Sequence, residues 1–172
     1  MDAQDVDLEI RLSSPHAPSG AVSASTSIGS LGGFVSTTKY VLMDLFSSVT
    51  SDENVSLKDS CRCVFITNTH LTSPIYGVRA WVEESHGGAD ISLAVDPISA
   101  TPINSSLPQA ARTPNTFTLP PGIKFEKPVT SGTALFLGDI GPGMCRAIWI
   151  RRSSHDSSAT RAAGGIIIVK TD

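Results

Sequence analysis

Two of the chain's 3 cysteines, Cys61 and Cys63, stand two residues apart in an apolar run. In an extended strand, residues i and i+2 share a face, so both sulfurs lie on one side of the element. Zinc knuckles more often bring a C-x2-C pair together through a turn, and they need further ligands, whereas only Cys145 remains. The plain reading is three small apolar side chains in a core. A disulfide from Cys61 or Cys63 to Cys145 stays open. The 4 histidines, His16, His70, His86 and His155, fall in four different predicted loops, and no pair has metal-ligand spacing on one element. Ser153-Ser154-His155-Asp156 contains the letters of a catalytic triad, but adjacent residues do not form triad geometry, and no G-x-S-x-G elbow occurs. The glycine pairs Gly32-Gly33, Gly87-Gly88 and Gly164-Gly165, like Gly141-Pro142-Gly143, fit tight turns. None belongs to a phosphate-binding loop opening a helix. These residues predict no enzyme, no catalytic or metal site and no cofactor.

Arg146, Arg151, Arg152 and Arg161 form the one basic cluster. Arg151 and Arg152, at a predicted strand end, are the candidate interface for an acidic partner. The blander alternative is a solvated strand end whose arginine stems cover Trp149. The net charge of −3 over 172 residues argues against nucleic acid or an anionic membrane as partner. No apolar run approaches the roughly 18 residues of a membrane span. The acidic opening MDAQDVDLEIRL lacks the basic and apolar regions of a secretory signal, so synthesis in a cytoplasm is expected. Hydrophobic residues make up 40% and charged residues 17%, enough for a core but leaving a surface whose polarity comes largely from Ser and Thr. Such surfaces suit β-proteins and proteins buried in assemblies.

The positioning elements read as strands. Val6, Leu8, Ile10 and Leu12 alternate with Asp7, Glu9 and Arg11, the period of a half-buried strand. Residues 13–38 are rich in Ser, Thr, Gly, Pro and Ala and predict an extended arm. Residues 40–49 fit a strand or a short helix. Residues 61–67, 75–84 and 90–95 predict three strands joined by short turns, a meander. In the second of these, Tyr76, Val78, Ala80 and Val82 share a face opposite Trp81. Prolines at 97, 102, 108, 114, 120 and 121 make residues 96–121 a long non-sheet connection, suited to a crossover between two sheets. Residues 134–137, 144–151 and 166–170 predict three closing strands, with residues 138–143 as a turn. Ile148-Trp149-Ile150 in a row implies burial on both faces and hence a central strand. Phe65, Trp81, Ile148 and Trp149 are the predicted core anchors.

Several segments, in order along nearly the whole chain, carry a resemblance. They are LEIRLS at 8–13, SLGG at 30–33, DLF at 44–46, CRCVFITN at 61–68, VRAWV at 78–82 and, strongest, LFLGDIGPGMCRAIWIRR at 135–152. This arrangement resembles a group of small structural proteins of tailed-bacteriophage virions. Two departures stand out: Cys61 occupies a position where the group tends to have an aromatic residue, and the closing strand lacks an Asn/Asp-rich lead-in. The motifs are packing motifs, so the resemblance carries no catalytic residues over.

The resulting expectation is an all-β, antiparallel sandwich of immunoglobulin-like or jelly-roll type, a single domain over 1–172 with an arm at 13–38 and a crossover at 96–121. The function implied is a non-enzymatic accessory of the tail, neck or baseplate, located in the virion and contacting other virion proteins, with a homo-oligomer expected. A capsid decoration protein is the near alternative, and a carbohydrate- or receptor-binding module the second.

Overall fold

The structure, a computed structural model, describes residues 8–16, 30–40, 45–46, 58–86, 89–154 and 164–170. Among these, the strands are β1 (Leu8–Ser14), β2 (Phe34–Lys39), β3 (Asp59–Asn68), β4 (Ile75–His86), β5 (Ala89–Val95), β6 (Thr101–Pro102), β7 (Leu135–Ile140), β8 (Met144–Ser154) and β9 (Gly164–Lys170). The chain is nearly all β, and every pairing is antiparallel. A large sheet runs β2-β1-β3-β8-β5, with β6 also on β8, and a small sheet runs β7-β4-β9. The strand β8 pairs with β3 from Asp59↔Ser153 to Thr67↔Cys145 and with β5 from Ala89↔Ser154 to Val95↔Ile148. A strand with neighbours on both edges and cover on both faces has no solvated side, which is why MCRAIWIRRSS is apolar at consecutive positions.

The inner face of the large sheet is aliphatic. Leu12, Val64, Ile66, Ile91, Leu93, Ile148 and Ile150 pack against Ile75, Val78, Ala80, Val82, Leu137 and Ile140 of the small sheet. The alternate residues of the same strands, Cys61, Cys63, Phe65, Ala94, Cys145, Ala147 and Trp149, form a second apolar cluster on the outer face. Phe65, Trp149 and Ile148 are thus buried, the first two outside and the third inside. Trp81, 8% exposed, belongs to neither cluster.

The meander expected from residues 61–95 does not form. Strand β4 leaves the large sheet for the small one and β5 returns, so β3 and β5 meet only through β8. Period-two patterning reveals which residues share a face but not which sheet a strand joins. The expected arm at 13–38 is partly strand: residues 13–14 end β1, and Phe34–Lys39 pairs with β1 through Ser13↔Val35 and Arg11↔Lys39. Its residues 17–29 lie outside the described residues, as do those of 40–49 except Tyr40, Leu45 and Phe46. The expected turn at 138–143 is shorter, because β7 continues to Ile140 through a bend at Gly138 (φ 84°). Tyr76 departs from the expected face. A register irregularity between Ile75 and Val78, with Gly77 at φ 61°, turns Ile75 and Val78 inward and leaves Tyr76 57% exposed.

Candidate functional site

Burial of the outer face depends on small neighbours around one large ring. Trp149 stands opposite Cys63 on β3 and opposite Ala94 on β5, so its indole has room between two short side chains. The proline-rich stretch lies over it, with Ala110 buried and Ile103, Ala111, Ile123 and Phe125 packed against the cluster. After β5 this segment pairs once more with the large sheet, as the two-residue β6 on β8, which corrects the expected non-sheet connection. The chain then enters the small sheet at β7, so it does cross between sheets. On the way it acts as a third layer. Its prolines remove ladder donors, and the remaining backbone groups find fixed partners instead. The Cys61 amide donates to Thr116 O (2.7 Å), Gln109 and Ala110 amides donate to Gly33 O (2.8 and 3.1 Å), and the Thr113 amide donates to Leu31 O (3.1 Å). Gly32 (φ 86°) is required here, since a Cβ at that position would lie 1.8 Å from Ala111 O and 2.9 Å from Trp149 Cζ2.

Two buried polar side chains tie the layer down. The carboxylate of Asp96 accepts from Trp149 Nε1 (2.9 Å) and the Ala111 amide (2.8 Å) through Oδ2, and from the Ile98 amide (2.9 Å) through Oδ1. One group therefore joins β8 to both ends of the first loop of the layer. Gln109 donates from Nε2 to Pro102 O (2.7 Å) and accepts from the Val35 amide at Oε1 (2.8 Å), linking the layer to β2. Sequence reading missed both. Asp96-Pro97 has the form of an ordinary turn opener, and nothing local marks Gln109.

All three cysteines are buried and free. The register sets Cys63 against Trp149 and Cys145 against Thr67, four positions apart along the strands, which is about 13 Å at strand rise. A disulfide needs Cα atoms within about 7 Å, so neither Cys61 nor Cys63 reaches Cys145. Burial pushes the Cys61 and Cys145 thiols up to about 11 and holds Cys63 well above the usual thiol range. Such thiols are poor nucleophiles.

The arginine pair divides. Strand β8 runs on to Ser154, so Arg151 and Arg152 stand inside it and point to opposite faces. Arg152 is 2% exposed; its Nε donates to Ser60 Oγ (3.2 Å) and its guanidinium lies 4.8 Å from the Phe46 ring centre. The surface role expected for it fails because its side of β8 faces the interior. Arg151 is half-buried on the outer side, donating to Ser92 Oγ (2.9 Å) and stacking over Phe125 at 5.0 Å. Arg146 also turns inward, and its Nη1 donates to Leu137 O of β7. Burial lowers its pKa.

Among the described residues no group of three His, Cys, Asp or Glu is placed to hold a metal ion, and no helix is long and apolar enough to cross a membrane. His70 Nδ1 accepts from the Thr72 and Ser73 amides, closing the turn before β4. His155 and Asp156 lie outside the described residues. Exposed rings occur on β4 and β7, at Tyr76 and at Phe136 (61% exposed), and the Arg79 guanidinium lies 5.9 Å from the Phe136 ring centre. No family model, no curated protein and no solved structure matches the chain.

Proposed function

We propose that the chain is a non-enzymatic structural component of a tailed-phage virion, an accessory of the tail, neck or baseplate that assembles with other virion proteins. One observation carries this reading. The segment with the strongest family resemblance, 135–152, coincides with β7 and nearly all of β8, the strand around which the large sheet is organised. The resemblance therefore lies in the residues that build the scaffold, as expected if a shared architecture underlies it. A large sheet covered on both faces by its own chain, with few charges, suits a rigid block in an assembly.

The jelly-roll variant of the sandwich is the one we favour. Successive strands β3, β4, β5, β7, β8 and β9 alternate between sheets apart from the short β6, and the pairs β3–β8 and β4–β7 nest as in a folded-over ribbon. Quantifying the chain in purified particles tests the functional reading. A copy number equal to a small multiple of the tail ring supports it, and a number matching the head lattice supports a capsid decoration protein instead. Absence from the particle defeats both.

Phe136 favours a second reading, a carbohydrate- or receptor-binding module, since an exposed ring beside the Arg79 guanidinium offers a stacking surface. A glycan array without hits removes it.

A further inference from the structure

A histidine ring nitrogen accepts a hydrogen bond only while it carries no proton, and histidine is the side chain whose charge changes near neutral pH. The turn between β3 and β4, residues 69–74, is held in two ways, and only one of them involves such a ring. Its base is fixed by the buried Asn68. There Oδ1 accepts from the His70 amide (3.0 Å), and Nδ2 donates to Ser73 O and Ile140 O (2.9 Å each). A carboxamide does not titrate, so this hold is the same at every pH.

The tip of the turn is held by the His70 ring. Nδ1 accepts from the Thr72 amide (3.1 Å) and the Ser73 amide (2.8 Å), and Thr72 Oγ1 lies 3.5 Å from it. Pro74 follows and has no amide hydrogen, so these are the last backbone donors before β4. Backbone N–H groups can only donate, so the geometry fixes the neutral ring as the Nε2–H tautomer.

We infer that this turn is a pH-sensitive latch, closed while His70 is neutral and opened at its tip, not at its base, when the ring is protonated. A protonated ring turns an Nδ1–H towards two other N–H groups, and both bonds are lost together. Asn68 keeps its partners, and His70 O keeps the Gly143 amide (3.1 Å), so the opening is confined to residues 71–73. The side chain that the latch controls is Leu71, 90% exposed at the tip. An exposed apolar group is thus held in one place above the titration of the ring and released below it.

No neighbouring charge takes over this role. The residues 69–74 and the facing Gly141–Met144 carry no charge besides His70. Among the described residues, the charged groups on the strands running into the turn are engaged elsewhere. Glu9 on β1 pairs with Arg11 and Lys39, Asp139 Oδ1 on β7 accepts from the Gly77 amide, and Arg146 Nη1 on β8 donates to Leu137 O. Tyr76 and the buried Cys145 are the other titratable groups there, and neither gains charge on acidification. Nothing in the inference depends on the virion reading.

Nitrogen-15 NMR of the purified full chain tests the latch. At neutral pH the His70 ring should show the Nε2–H tautomer. On acidification the Thr72 and Ser73 amide signals should shift with the same midpoint as the ring and lose exchange protection, while the Asn68 side-chain amide stays in place. His70→Asn offers an oxygen to amides two and three residues on without titrating, so its tip should stay closed in acid. His70→Ala should leave the tip open at every pH. An Nδ1–H tautomer, or Thr72 and Ser73 amides that ignore the titration of the ring, overturns the inference. So does a shift of those amides at the same midpoint in His70→Asn. Equal movement of the Asn68 amide overturns the confinement to the tip. The unsubstituted chain decides the question even if a variant fails to fold.

Discussion

On its inner face the large sheet meets another sheet, and β-branched and leucine side chains such as Val64, Ile66, Leu93 and Ile148 interleave with Val78, Val82 and Leu137. On its outer face it meets a segment with almost no ladder pairing, across a cluster of cysteine, alanine and two large rings, Phe65 and Trp149. The inner contact is made by many similar side chains, so its burial is spread out. The outer contact concentrates burial on Trp149 and orientation on two polar anchors, Asp96 and Gln109. A sheet can cover a sheet by repetition of one pattern. An irregular segment has no repeat to rely on, so each of its backbone groups needs an individual partner.

The largest expected effect is that of Trp149→Ala. A buried tryptophan lost costs about 3–5 kcal/mol, and here Asp96 also loses a donor. Ile148→Ala, its neighbour on the inner face, should cost about 2–5 kcal/mol. Chemical denaturation of both variants compares the faces directly. If Trp149→Ala proves the milder, the outer layer is a loose cover and the inner core alone holds the fold. Asp96→Ala should cost about 1.5–3 kcal/mol, the range for hydrogen bonds to a charged group, and should change Trp149 fluorescence before global unfolding. Loss of stability without that early change would mean the two faces unfold as one unit.

Alkali sharpens the same contrast, because all three thiols lie on the outer face. Their folded pKa values exceed the ordinary value of 9.0, with Cys61 and Cys145 at about 11. In the unfolded chain the thiols ionise first as pH rises. The contribution of Cys61 and Cys145 to stability is therefore complete below pH 9 and is lost between pH 9 and about 11. Melting temperature should fall across that window. Thiol-reagent kinetics at pH 8 then separate two modes: reaction only on global unfolding, or faster reaction through opening of the outer layer alone. The smallest effect belongs to Arg151→Ala. Its partly exposed bond to Ser92 and its contact with Asp59 (3.9 Å) should be worth less than about 1 kcal/mol.

Residue faces were legible in the sequence where alternation is strict. In β1, Leu8, Ile10 and Leu12 pack on the inner core as their spacing predicts, and the row Ile148-Trp149-Ile150 marks a strand enclosed on both sides. Sheet membership was not legible, because β4 looks the same whether it pairs with β3 or crosses to β7. Arg152 was misjudged for a related reason: alternation places it inward, but a guanidinium reads as surface until Ser60 and Phe46 are seen around it. Tyr76 moved outward because the local irregularity at Gly77 breaks the count. The proline-rich segment was expected to be wholly non-sheet, but Thr101–Pro102 within it pairs with β8, and its function as a layer depends on Asp96 and Gly32 meeting residues far away in sequence.

The pairing of β3 with β8 joins Asp59 to Ser153. The centre of the large sheet therefore depends on two strands separated in sequence by residues 69–143. While the protein is being made, β3 has no central partner until β8 has emerged from the ribosome, and neither apolar cluster can close. The nascent chain must carry the Cys61–Phe65 face uncovered through much of synthesis, and the long loop joining the two strands adds an entropic barrier to their meeting. Folding should thus come late and be comparatively slow, leaving an interval in which the exposed β3 can pair wrongly with other nascent chains.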